Sequence, residues 1–166
     1  IPQETVLTLD LTNGVVEQMP TSPLARASDG AGVPLHRTVA ALEAAARDER
    51  VKALAVHMGS SRIGMGHAQE LHAAIETFRD SGKPAFAFAE TLSGGMGGGT
   101  VNAYLTTAFD KVWMQPSGDY AMTGFLLESP YLADALQEIG VQPRLDQRRA
   151  YKGIKDRFTA TQMPEP

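Results

Sequence analysis

Residues 144–158, RLDQRRAYKGIKDRF, carry Arg144, Arg148, Arg149, Lys152, Lys155 and Arg157 against only Asp146 and Asp156, in a chain whose net charge is -4. A lysine can serve as a general base only if it is largely neutral near pH 7. From a reference value of about 10.4 that needs roughly three units of depression, on the order of 4 kcal/mol. Apolar burial and neighbouring cations both act in that direction. For Lys152 the apolar neighbours are Tyr151, Ile154 and Phe158, and the cations are Arg148, Arg149, Lys155 and Arg157. The same run also reads as a solvated cationic face, the commoner role of such stretches. Both readings stay open at this level.

Other chemistry-bearing residues are less specific. Ser93 in LSGGMGGG follows a strand pattern and precedes glycines that would leave its hydroxyl accessible, but it is not in a GxSxG elbow. Thr100 opens the next helical pattern and reads as its N-cap. The glycine-rich loops lack the Lys-Ser/Thr of a P-loop and fit no GxGxxG register, which disfavours nucleotide binding. His36, His57, His67 and His72 include no HExxH pair, and the five-residue spacing of His67 and His72 sets them on different helix faces. No metal or cofactor is expected.

Composition narrows the classes further. With 43% hydrophobic and 20% charged residues, 166 residues suit a single α/β domain with a core of its own. A net charge of -4 argues against a whole-surface nucleic-acid binder. The absence of cysteine excludes disulfides, thiolate metal sites and cysteine nucleophiles. No apolar run approaches the ~18 residues of a membrane span. The opening IPQETV and the closing TATQMPEP read as cuts in a longer precursor.

The elements that must position these residues follow from periodicity. Residues 5–11 alternate as a strand and meet a turn at Asn13-Gly14. Residues 19–34 are Pro/Gly/Ser-rich and read as an exposed loop. Leu35, Val39, Leu42 and Ala46 share one helical face, and 51–58 form a buried strand. A helix over 67–78, through Ala68, Leu71, Ile75 and Phe78, stops at SGKP, residues 81–84. Then come a strand over 85–90, a helix over 100–109, a strand over 111–116 and an extended piece over 119–124. A helix over 129–140 has Ser129 as N-cap and Gly140 as its stop. A last strand is expected over 141–147. Alternating strands and helices predict a mainly parallel sheet with helices on both faces. Chemistry is then expected in the loops after the strands, 59–66 and 91–99.

Read in order, LTLDLTNGVVE, AAARDERVKALAVHM, ELHAAIETFRDSGKPAFAFAE, AYLTTAFDKVWMQPSGDYAMTGF and the segment from Leu132 onward resemble the signal peptide peptidase A family, also called protease IV. The resemblance covers nearly the whole chain except the 19–34 loop. It implies a ClpP/crotonase-like α/β fold and a membrane-associated, extracytoplasmic serine peptidase with a Ser-Lys dyad that degrades cleaved signal peptides. In long members the lysine lies in the amino-terminal half and the serine in the carboxy-terminal half, and subunits form a homo-oligomer.

The match is to the amino-terminal half, and Lys152, after Tyr151, falls on the family's lysine. The resemblance therefore implies Lys152 as the general base. The serine's place is held by Thr100, followed by Val101 and Asn102 where short members have two glycines, and the oxyanion-hole glycines are not evident in GSSRIGMG. The expected partners are extended apolar peptides, a missing carboxy-terminal half and further copies of the chain. Alone, the chain is expected to be inactive and soluble. Two other readings are a catalytically silent assembly domain of the same oligomer and a crotonase-like acyl-thioester enzyme.

Overall fold

A computed structural model describes residues 4–18, 32–59, 63–93, 98–126, 128–146, 148 and 153–163. The chain divides into two compact units, Ile1–Phe125 and Leu126–Pro166.

The first unit holds β1 (Thr5–Asp10), β2 (Val15–Val16), β3 (Val33–Pro34), α1 (Leu35–Arg47), β4 (Val51–Met58), α2 (Met65–Asp80), β5 (Ala85–Ala89), α3 (Gly98–Thr106) and β6 (Lys111–Met114). The main sheet is parallel throughout, in the order β1-β4-β5-β6. The expected α/β class with a mainly parallel sheet flanked by helices is therefore present, consistent with a ClpP/crotonase-like fold. Among the described residues of this unit the helices share one core with Leu54, Val56 and Met58, and the other face of the sheet is partly exposed rather than covered by helices as expected. Val15–Val16 pairs in parallel with Val33–Pro34, so the described end of the predicted 19–34 loop is a short strand. Residues 19–31 lie outside the described residues. Gly14, at φ +78°, supplies the turn expected at Asn13-Gly14.

Strand alternation sorts the sheet into two faces. Leu54, Val56, Met58, Ala85, Ala87 and Ala89 are all buried and lie in register on one face. Against it α2 contributes Leu71, Ile75 and Phe78, each 0% exposed. The alanines of β5 sit under these larger side chains because interior volume is filled once, from either side. The phenylalanines of AFAFA consequently lie on the other face, with Phe88 42% exposed.

The SGKP turn has a physical role for each residue. Ser81 Oγ donates to the Phe78 carbonyl at 2.6 Å, and Gly82, at φ +84°, ends the helix. Lys83 Nζ then donates to the carbonyls of Ala45, Ala46 and Asp48 at 2.7, 2.9 and 2.8 Å. An ammonium on the orphan carbonyls of the α1 C-terminus opposes the negative end of the helix dipole. Pro84 follows and leads into β5, its carbonyl accepting from the Leu54 N–H. Lys83→Met should cost about 1–2 kcal/mol, read from the urea midpoint, because three carbonyls lose a charged donor.

Asp110 ties the neighbouring elements together. Its Oδ2 accepts from the Ala85 N–H at 2.8 Å and its Oδ1 from the Arg79 guanidinium at 2.6 Å. Both contacts hold its carboxyl below the ordinary range, the Arg79 hydrogen bond first. Asp48 is held down to about 2, mainly by the Arg50 side chain and then by the Arg50 N–H. In both cases the folded chain gives up the proton at a lower pH than the unfolded chain. The stability they contribute is complete above the ordinary carboxylate value, near 3.8, and is lost as pH falls toward the folded value. The urea midpoint should therefore drop between about pH 4 and about pH 2, and Asp48→Asn should flatten part of that slope.

The second unit contains α4 (Ala133–Glu138) and α5 (Asp156–Thr159), and none of its described residues is buried. The helix predicted over 129–140 is thus shorter, and Ser129 does not cap it: Leu132 stands at the N-cap and its N–H donates to the Arg157 carbonyl. Pro130 biases Ser129 toward extended backbone and away from a helix start. Gly140 does stop the helix, at φ +73°, with the Val141 N–H on the Leu136 carbonyl. No strand forms over the described residues 141–146. The Val141 N–H is already bonded within the helix stop, and Pro143 has no N–H to give a ladder.

Candidate functional site

Parallel strands send all their carboxyl ends to one edge, and three strands end here on an ionisable residue: Asp10 on β1, His57 near the end of β4 and Glu90 just after β5. Register sets Asp10 opposite His57 and His57 opposite Phe88, which in turn faces Trp113. His57 Nε2 lies 2.8 and 2.9 Å from the two Glu90 carboxylate oxygens, so this nitrogen carries the donated proton. Glu90 sits below the usual carboxylate range through a backbone N–H bond of its own and then the His57 contact. The Asp10 carboxylate accepts from the Thr12 hydroxyl at 2.6 Å and the Thr12 N–H at 2.9 Å, which lower its value in that order. Two ionised carboxylates thus flank one imidazole at the edge of the sheet.

Below this row the face away from the helices forms a groove of about 480 Å³, lined among others by Thr8, Ala55, Phe86, Phe88 and Trp113. Thr8, Ala55 and Phe86 make one cross-strand row; Asp10, His57, Phe88 and Trp113 make the next. Small residues on β1 and β4 form a trough beside an aromatic ridge on β5 and β6. Phe86 and Trp113 have ring centroids 5.5 Å apart, and His57 and Phe88 5.7 Å.

A second arrangement surrounds the start of α3. The Leu92 N–H and the Thr91 hydroxyl both donate to the Asp119 carbonyl at 2.9 Å, so residues 118–124 run beside the chain leaving β5. A Cβ on Gly118 would collide with the Glu90 carbonyl oxygen, and one on Gly99 with that of Ala121. The Thr100 hydroxyl accepts from the Gly124 N–H at 2.8 Å. The helix begins at Gly98, so Thr100 sits inside its first turn and does not cap it. Ser93 Oγ lies 2.9 Å from Thr91 Oγ1. Neither hydroxyl has a histidine, carboxylate or lysine partner among the described residues.

Lys152, with Tyr151 and Arg149, lies outside the described residues. Of its neighbours in sequence, Ile154 is 72% exposed and Phe158 is half-buried. The four histidines are dispersed: His36 is exposed on α1, His57 meets Glu90, His67 meets Glu17, and His72 bridges Thr107 and Glu76 while stacking on Tyr104. No group of three or more acidic or imidazole side chains able to hold a metal occurs among the described residues. No described helix is long and apolar enough to cross a membrane.

Sequence reading passed over the Asp10–His57–Glu90 cluster. The available signal was positional, since in TVLTLD, VKALAVHM and AFAFAE an ionisable residue stands at or next to the carboxyl end.

No family model matches the chain. The chain is similar to Protease 4 of Salmonella typhi, 31% identical over 90 residues, which is 54% of this chain and 14% of that protein. It is 21% identical over 160 residues to the chloroplastic serine protease SPPA of Arabidopsis thaliana, 96% of this chain and 22% of that protein. Protease 4 of Haemophilus influenzae is 28% identical over 90 residues, 54% of this chain and 14% of that protein. The matches thus cover less than a quarter of each relative's length. These similarities support the signal peptide peptidase A family; of the three relatives, the Arabidopsis thaliana protein is named as a serine protease.

Proposed function

We propose that this chain is a fragment from the amino-terminal half of a two-domain serine peptidase and supplies the general base, Lys152, to a serine carried elsewhere in the assembled enzyme. The observation that carries this reading is Thr100. At the position the resemblance gives the serine stands a threonine whose hydroxyl accepts the Gly124 N–H and meets no histidine, carboxylate or lysine among the described residues. A half-site that keeps the lysine and carries a threonine in the serine's place is useful if its base reaches another domain's nucleophile.

In the proposed reaction the neutral Lys152 amine takes the proton from that serine. The alkoxide attacks a peptide carbonyl, and backbone N–H groups hold the oxyanion. The substrate is an extended, apolar peptide of the kind left after signal-peptide cleavage, and the enzyme works as a membrane-associated, extracytoplasmic oligomer. Combining the chain with the carboxy-terminal half and measuring peptide cleavage, with and without Lys152→Ala, tests the reading. Equal rates would remove Lys152 from the mechanism.

A further inference from the structure

The open face of the sheet joins an apolar trough to an acidic end. Its aromatic residues are large and accessible: Trp113 is 52% exposed and Phe88 42%. Residues of this kind turned outward mark a surface that binds something. The groove's volume of about 480 Å³ suits a few side chains of a short segment.

Charge selects among short segments. Asp10 and Glu90 stand on either side of His57 at the carboxyl end of the strands, and Glu90 keeps 49% of its side chain exposed. Neither carboxylate is paired with a lysine or arginine among the described residues. Lys111 brings a cation to this face, at the amino end of β6 in register with Phe86. The groove is therefore acidic at one end and basic toward the other, which gives a bound chain a direction.

We propose that this face is a docking groove for an extended apolar peptide segment bearing a cation at one end, with the apolar part against Phe86, Phe88 and Trp113 and the cation between Asp10 and Glu90. The proposal rests on the peptidase reading in that it assigns the chain a peptide to recognise. It adds which residues select the peptide and by what chemistry: aromatic contact for the apolar part and two carboxylates for the cation.

Trp113 is the chain's only tryptophan and lies in the groove, so its emission reports occupancy without background. A short leucine- and alanine-rich peptide with a terminal lysine should shift that emission saturably. It should bind about fivefold more tightly than the same peptide with glutamate in that place, the scale of an exposed charge pair. High salt should shrink the preference. Asp10→Asn with Glu90→Gln should abolish the preference while retaining apolar binding, and Phe88→Ala should weaken both peptides alike.

An unchanged Trp113 emission, or equal affinity for the lysine and glutamate peptides, overturns the proposal. So does a concentration-dependent shift without peptide that sedimentation traces to a dimer, because the occupant is then a second copy. Loss of cleavage in Lys152→Ala alongside a silent Trp113 would keep the peptidase reading and remove only the groove. A Trp113 response alongside cleavage indifferent to Lys152 would do the reverse.

Discussion

Peptide cleavage by the reassembled peptidase should fall on the order of 10³-fold or more when Lys152 becomes alanine, the scale of losing a positioned base. Lys152→Arg should fail as completely, because a guanidinium keeps its proton at any working pH. Lys155→Ala should leave the rate close to wild type, which separates a general base from a diffuse cationic surface. The pH profile adds a readout that folding does not imitate. If Lys152 is the base, the rate should rise through an apparent value near 7, where a base is most effective. A limb near the ordinary lysine value of about 10.4 would end the assignment. Surrounding the amine with cations, as Arg148, Arg149, Lys155 and Arg157 would in an assembled site, is one of the two ways to lower it. Apolar cover is the other, and Ile154, 72% exposed, has apolar surface available for it.

Phe78→Ala should destabilise the first unit by about 3–5 kcal/mol, whereas Phe88→Ala should cost less than about 1 kcal/mol. The chemistry deleted is identical, so the contrast isolates burial. Phe78 is 0% exposed between α2 and the alanines of β5, and Lys83 Nζ stands 5.9 Å from its ring centroid. Removing it leaves a void that neighbours of fixed shape cannot close. Phe88 loses contact with His57 and one wall of the groove but opens no cavity. Urea denaturation followed by far-UV circular dichroism measures both variants. Equal costs would mean that the two faces of the sheet are covered alike.

The helix stop at Gly82, the tight turn at Gly14 and the order of the four main-sheet strands with the helices between them were legible in the amino-acid sequence. Each depends on backbone preferences acting over a few residues, and such preferences survive any tertiary setting. The signs of trouble at 129–147 were local as well. Pro130 and Pro143 argued against a Ser129 cap and a last strand, and the described residues have neither.

The two faces of β5 were a different matter. AFAFA declares an alternation without saying which side the helices take, and hydrophobicity alone would have turned the phenylalanines inward. That choice belongs to α2, whose Leu71, Ile75 and Phe78 fill the interior and leave room only for alanine opposite. The meeting of Asp10, His57 and Glu90, 80 positions apart from first to last in the chain, likewise required three parallel strands to end at one edge. Propensity acts between neighbours in sequence, but volume and register act between neighbours in space, and only the folded sheet could decide which side chains would share a groove.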